Sequence, residues 1–307
     1  MNAELRPKRF VDGIAAGVPS RLRLADWLVL SKARIVLMVL LTAAAGYALG
    51  ASSVRPGVLT AAIAGTALLA AGTNAFNELV ERDRDANMAR TRRRPLPSGR
   101  IAPAAAARFA AASSAAGAAI LALFVNPLTA ALGVFTLASY VLVYTPLKRI
   151  TPACTIVGAI PGAVPPLMGW TAATGAIGPG GVFLFAIVFF WQMPHFLALS
   201  WIYRSDYAAA GFSMTSVRDA GGRVVSRDAL VHTLALLAAT ATAAVLCAAP
   251  RWPLAAAALA GAPLLAAAVR FRASRTTRRA RLLFAASNAF LPLVMAGLAL
   301  SGGFLPR

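Results

Sequence analysis

A chain of 307 residues that is 59% hydrophobic and only 13% charged, with a mean hydropathy of +0.70, is too apolar for a water-soluble globular protein. Its net charge of +20 comes from 30 Lys and Arg against 10 Asp and Glu. No basic patch is interleaved with aromatic side chains, so the charge points to membrane topology and anionic lipid and away from nucleic acid. The charged stretches between apolar runs reach about 26 residues at most, too few for a soluble domain with its own core.

Residues 1–27 read as a polar arm, and 28–307 as one intramembrane unit. The first apolar run lies too far into the chain, and is too long, for a cleavable signal. Crossing a hydrocarbon core of about 30 Å takes about 20 helical residues. Stretches of that kind are predicted near 35–52, 58–80, 103–124, 127–146, 153–174, 181–202, 229–249, 253–270 and 283–302. The expected fold is therefore an all-α, multi-pass bundle of nine membrane helices, with the fifth weakened by Pro161, Pro165 and Pro166. Arg6, Lys8, Arg9, Arg21 and Arg23 of the arm, and most other cations in loops 81–102, 147–152, 203–228 and 271–282, share one side. The other side holds Arg55, Arg251 and Arg307. The positive-inside rule then puts the arm and those loops in the cytoplasm and the C-terminus outside. Cys154 and Cys247 fall near opposite faces and read as packing residues, and the Ala-rich segments suit close helix approach.

The densest polarity is NELVERDRDANMARTRRRPLP, Asn77 to Pro97. Four of the ten acids, Glu78, Glu81, Asp83 and Asp85, fall within eight positions. On a helix Asn77, Glu81 and Asp85 line one face within about two turns. A row of oxygen donors beside Arg90, Arg92, Arg93, Arg94 and Arg100 suits Mg²⁺ and a polyanion held together. A solvated, salt-bridged loop is the plain alternative. Further along, Tyr144-Thr145-Pro146-Leu147-Lys148-Arg149 closes the fourth span; its cations either grip a diphosphate or anchor the helix among headgroups. Trp191-Gln192-Met193-Pro194-His195-Phe196 puts Gln and His inside an apolar span, which is costly unless they face a cavity. Asp206, in RSDYAAAG, adds one carboxylate to the third cytoplasmic loop.

These strings resemble the UbiA superfamily of intramembrane aromatic prenyltransferases. Asn77…Glu81…Asp85, Arg90-Thr91 and Arg94-Pro95-Leu96-Pro97 resemble its first aspartate-rich signature. YTPLKRIT from Tyr144, GAVPPLMGW from Gly162, WQMPHF from Trp191 and Asp206-Tyr207…Ala210-Gly211 are similar to its heme-farnesylating branch. The resemblance runs from about Leu30 to the ninth span. It implies a Mg²⁺-dependent transferase of the bacterial plasma membrane, working at the cytoplasmic face on farnesyl diphosphate and heme B. A heme-modifying enzyme or terminal oxidase would take the product. Carried over by position, Asn77, Glu81, Asp83, Asp85 and Asp206 are the implied metal ligands, with Asn77, Glu81, Asp85 and Asp206 central to catalysis. Arg90, Arg94, Tyr144, Lys148 and Arg149 would bind the diphosphate substrate, and His195 would contact the heme.

Four departures stand out. Glu81 is one methylene longer than the usual Asp, and the usual Lys-Pro before the first span reads Lys32-Ala33. Ala210 replaces a second acid, and Phe212 to Val217 lacks an expected proline. Two rivals share features: prenyl transfer to a quinone precursor such as 4-hydroxybenzoate, which needs no WQMPHF, and a multi-pass transporter with a broken fifth helix.

Overall fold

The computed structural model describes residues 24–302. The arm through Arg23 and the last residues, including Arg307, lie outside the described residues. Helices α1 (Leu24–Leu30), α2 (Ala33–Gly50), α3 (Pro56–Asp85), α4 (Pro103–Phe124) and α5 (Pro127–Ala138) come first. A π-helical segment (Ser139–Tyr144) and α6 (Thr145–Leu147) continue α5 without a break. Then follow α7 (Cys154–Thr174), α8 (Pro179–Ile202), α9 (Arg204–Ala209), α10 (Thr215–Arg218), α11 (Arg223–Val245), α12 (Arg251–Ala273) and α13 (Thr277–Ala299). Among the described residues there is no strand, and nine helical spans are long and apolar enough to cross a membrane.

Local chemistry sets the helix ends. Pro56, Pro103, Pro127 and Pro179 open their helices, where a missing N–H costs nothing and φ is already helical. Asn126 caps α5 by accepting from the Thr129 N–H at 2.8 Å. Arg82 and Arg84 sit in the last turn of α3, where cations favour the carbonyl end of the helix dipole. That turn runs past the expected end at residue 80, so the acidic residues through Asp85 ride on the helix. Helices α11 and α13 likewise begin six residues earlier than the apolar runs suggest, with Arg223, Arg227, Arg278, Arg279 and Arg281 on their first turns. Long basic side chains allow this by reaching from the helix to the interface.

The fifth span corrects the sequence expectation most clearly. Helix α7 runs unbroken through Pro161, Pro165 and Pro166, and 72% of its apolar window is buried, against 22–44% for the other eight spans. It stands at the centre, packed against α2, α5 and α8. Prolines are tolerated in a membrane helix when neighbouring helices enclose it. The α2–α7 contact is backbone to backbone: Gly169 lies against the Ala43 carbonyl and Gly46 against the Pro166 carbonyl, leaving no room for a Cβ at either position. Helix α3 packs on α4, while α8, α11, α12 and α13 form a second group joined to the first through α7 and α2.

Candidate active site

The C-terminal half of α3 carries a polar stripe at helical spacing. Asn74, Asn77, Glu78, Glu81 and Asp85 are all buried, with Glu78 and Asp85 each 1% exposed. Burying so many polar groups is costly unless each meets a partner. The partners come from three parts of the chain.

The first is the α1–α2 turn. Asn74 Nδ2 donates to the Ser31 carbonyl at 3.0 Å and fastens the turn to α3. Lys32 then adopts φ 52°, the one positive φ among described non-glycine residues, and its Nζ donates to Asn77 Oδ1 at 2.8 Å. Burial, the largest influence, lowers the Lys32 ammonium to about 8, with the Glu78 carboxylate pulling the other way. The second is the end of the fourth span. Asn77 Nδ2 donates to Thr145 Oγ1 at 3.2 Å, and Thr145 Oγ1 donates to the Tyr140 carbonyl at 2.8 Å. Lys148 Nζ lies 2.8 Å from Glu81 Oε1 and donates to Oε2 at 3.1 Å, so the ammonium straddles the carboxylate. It also lies 4.6 Å from the centre of the Tyr144 ring, which fits against α7 because Gly158 has no Cβ.

The third part is the loop after α3. Thr91 Oγ1 donates to the Asp85 carbonyl at 2.8 Å, and Arg94 Nη1 donates to Asp85 Oδ2 at 2.9 Å. The same nitrogen is 3.3 Å from Glu78 Oε1, without hydrogen-bond geometry. The chain after α9 braces these parts without meeting the stripe. Arg84 Nη1 donates to the Ala210 and Gly211 carbonyls at 2.7 and 3.1 Å, and Ser213 N donates to the Lys148 carbonyl at 2.7 Å.

Asn77, Glu81, Asp85, Arg94, Lys148 and Tyr144 are thus brought together. The other sequence candidates stand apart. Asp83 is 86% exposed and pairs with neighbouring Arg82, so it points away from the stripe. Asp206 is half-buried on α9, and its side chain makes no hydrogen bond or ion pair among the described residues. Arg90 stacks its guanidinium 5.0 Å from the Tyr203 ring, and Arg149 Nη2 donates to the Val80 carbonyl at 3.1 Å. His195 faces α13: its Nδ1 is 3.0 Å from Ser287 Oγ, and its ring lies between Trp191 and Phe284, at 4.8 and 4.6 Å. Gln192, one residue before Met193, turns to α7 and donates to the Ala159 carbonyl at 3.0 Å.

Four residues of the cluster lie outside the site residues expected from the sequence: Lys32, Asn74, Glu78 and Thr145. The 3.6-residue spacing of Asn74, Asn77/Glu78, Glu81 and Asp85 marks Glu78. Lys32 and Thr145 stand in strings the sequence singles out, but no role follows from them there, because both reach α3 only through the tertiary fold.

The donor set suits a hard divalent ion: amide and carboxylate oxygens, with Glu78 Oε1 and Oε2 and Glu81 Oε1 buried and without hydrogen-bond partners. Yet among the described residues no three His, Cys, Asp or Glu side chains converge closely enough to hold a metal alone. That fits an ion completing its shell with substrate oxygens. Beside the cluster, Tyr144, Thr155, Gly158, Phe196, Leu199, Tyr207 and Met214 line a small, mainly apolar cavity.

Residues 39–294 match the UbiA prenyltransferase family. The chain is 41% identical to the protoheme IX farnesyltransferase of Solibacter usitatus, over 88% of this chain and 96% of that one. It is 40% identical to that of Koribacter versatilis, over 91% and 93%. In architecture it resembles a digeranylgeranylglyceryl phosphate synthase (TM-score 0.75, 15% identity, 91% of this chain and 98% of that one). It also resembles a UbiA homolog from Archaeoglobus fulgidus bound to GPP and Mg²⁺ (TM-score 0.64, 16% identity, 89% and 99%).

Proposed function

The chain belongs to the UbiA prenyltransferase family, and on that footing we propose that it transfers a farnesyl group from farnesyl diphosphate to a vinyl group of protoheme IX, giving heme O. The observation that carries this reading is identity of about 40% to protoheme IX farnesyltransferases along almost the whole of both chains. It is an enzyme of multi-pass membrane architecture. The reaction takes place at the cytoplasmic face of the bacterial plasma membrane, and the product passes to a heme-modifying enzyme or terminal oxidase.

Asn77, Glu81 and Asp85 would hold Mg²⁺ against the diphosphate, with Asp206 approaching from α9. When bound, the metal neutralises charge building on the leaving diphosphate. Lys148 and Arg94 would turn from Glu81 and Asp85 to phosphate oxygens, and Arg90 and Arg149 would have to leave Tyr203 and the Val80 carbonyl to join them. As the C–O bond to the diphosphate breaks, these cations stabilise the departing charge more strongly than the ground state, which is what lowers the barrier. The Tyr144 ring beside Lys148 borders the apolar cavity, a wall suited to an allylic cation. The vinyl group adds to that cation, water captures the resulting cation and loses a proton, and a hydroxyethylfarnesyl side chain results. Excluding water until the carbon–carbon bond forms is a reason to place the chemistry inside a membrane.

His195 would contact the heme, with Nδ1 oriented by Ser287. The continuity of α7 removes the main motive for a transporter, and WQMPHF has no use in a quinone-type enzyme. The test is to incubate the purified protein with farnesyl diphosphate, Mg²⁺ and either heme B or 4-hydroxybenzoate. A more hydrophobic heme on chromatography is the expected result; prenylation of 4-hydroxybenzoate alone would replace this reading with its rival.

A further inference from the structure

Each side chain assigned to the metal on α3 is already engaged by a cation of the protein. Lys32 Nζ is 2.8 Å from Asn77 Oδ1, Lys148 Nζ 2.8 Å from Glu81 Oε1, and Arg94 Nη1 2.9 Å from Asp85 Oδ2. With Glu78 beside Arg94, three carboxylates face three cations, so the ionised cluster is close to neutral. Glu78 is 1% exposed and neither of its oxygens has a hydrogen-bond partner. The unfilled bonding capacity is therefore on the acidic side, yet no three acids converge on one point among the described residues.

Neutrality in a mostly buried site decides what can enter. A divalent ion alone must displace cations from their ligands and leave two positive charges uncompensated. A diphosphate alone draws the cations away and strands three buried carboxylates. Unpaired charge is costly in both cases, because the surroundings screen it poorly. Entering together, metal and diphosphate nearly cancel. In that state Asn77, Glu81 and Asp85 would hold the metal, and Lys32, Lys148 and Arg94 would turn to phosphate.

We propose that these three pairs make metal and diphosphate binding mutually dependent, and that Lys32 is a diphosphate-positioning residue that links Asn77 to the substrate. This rests on the reading of the cluster as a metal–diphosphate site and adds the order imposed on it. Lys32 is built for the role. Its left-handed backbone is unfavourable for a residue with a Cβ and is held by the Asn74 bond to the Ser31 carbonyl. Relaxing that turn would carry the ammonium out of the cluster. The exchange of partners also explains why lysine suits two of the three positions: its ammonium is a compact charge on a flexible stem that can swing between acceptors.

The experiment uses the full chain in detergent, with Mn²⁺ as the metal probe followed by electron paramagnetic resonance and inorganic pyrophosphate as the anion. The solution Mn²⁺–pyrophosphate complex is included in the thermodynamic cycle. Each probe is expected to strengthen the protein's affinity for the other by roughly tenfold or more, the same factor in both directions. Lys32→Met should bind Mn²⁺ alone more tightly than the parent does, bind pyrophosphate more weakly, and lose most of the mutual gain. Lys148→Met should do the same through Glu81, which keeps the test open if Lys32→Met fails to fold. Mn²⁺ bound equally well with and without pyrophosphate would overturn the coupling while leaving the site in place. An undiminished gain in both variants would overturn the role of the cations. No binding of either probe, singly or together, would overturn the site itself.

Discussion

Two regions carry polar groups where the chain is otherwise apolar, and they resolve that conflict differently. On α3, five polar side chains on one stripe are answered from the α1–α2 turn, the Lys148 segment and the Arg94 loop, largely through ion pairs and charge-assisted hydrogen bonds. On α8, Gln192 and His195 look like a comparable pair in sequence but diverge. Gln192 is satisfied by α7 and His195 by Ser287 and two aromatic rings on the other side. The first pattern is convergent, charged and neutral only in sum, which makes it exchangeable. The second is pairwise and uncharged, which suits a fixed surface against which a flat substrate can lie. Polar residues in a membrane span therefore announce function, but only the placement of their partners says which kind.

The contrast breaks most severely at Asp85. Asp85→Ala should reduce heme farnesylation by on the order of 10²–10³, the usual loss when one charge-stabilising group is removed. Because Asp85 is buried and paired with Arg94, Asp85→Asn, which keeps the side chain's shape, should lose turnover likewise while the protein stays folded in detergent, which separates lost chemistry from lost stability. Near-normal turnover at saturating Mg²⁺ would take the α3 face out of the mechanism.

Lys32 gives the next largest effect. Removing its charge-assisted hydrogen bond, worth about 1.5–3 kcal/mol, should weaken farnesyl diphosphate binding by on the order of tenfold in Lys32→Met. Its ammonium titrates near 8 instead of 10.5, so the unfolded chain holds that proton more tightly than the native protein does. Native stability should thus rise as pH climbs from about 8 towards 10.5, because the buried charge is discharged there; below 8 its cost is fully present. Affinity for the diphosphate should fall over the same interval. Thermal unfolding and KM measured on either side of pH 8 test both slopes, and Lys32→Met should flatten them.

His195→Ala sharpens the comparison from the other side. It should impair heme use several-fold while leaving farnesyl diphosphate affinity unchanged, because the diphosphate groups lie on α3 and its partners. Ser287→Ala, which removes one hydrogen bond of about 0.5–1.5 kcal/mol, should give the same pattern more weakly. Equal losses for both substrates with a lower melting temperature would make His195 a packing residue. The smallest effect belongs to Asp83. With its side chain in solvent, Asp83→Ala should leave the kinetics within about twofold of the parent, and a larger loss would mean that α3 reorients when substrate binds.

Much of this architecture is legible in the amino-acid sequence. The nine spans follow from apolar length, and the Asn77, Glu81, Asp85 face follows from helical spacing alone. Glu78 is equally legible, one position off the same stripe. Lys32 is not: its importance depends on a left-handed turn and on Asn74 binding a backbone carbonyl 43 residues away in sequence. The prolines of α7 mislead because their cost depends on enclosure, and enclosure is a property of neighbours. The separation of Gln192 from His195 is hidden for a related reason. Two residues three apart on a helix share a broad face, and only the positions of α7 and α13 divide it.

The π-helical segment at Ser139–Tyr144 sets the angular register of everything that follows it. A π turn closes its hydrogen bonds over five residues and so holds about one residue more than an α turn. Thr145 bridges back to Tyr140, five residues earlier, and so seals that extra residue in place. Everything downstream is turned by about 100° relative to an uninterrupted α-helix. That rotation points Thr145 at Asn77 and Lys148 at Glu81. Deleting one residue there would lengthen no loop and remove no functional group, yet it would dial the whole basic end of the fourth span away from its acidic partners. This helix tolerates substitution far better than a change in count.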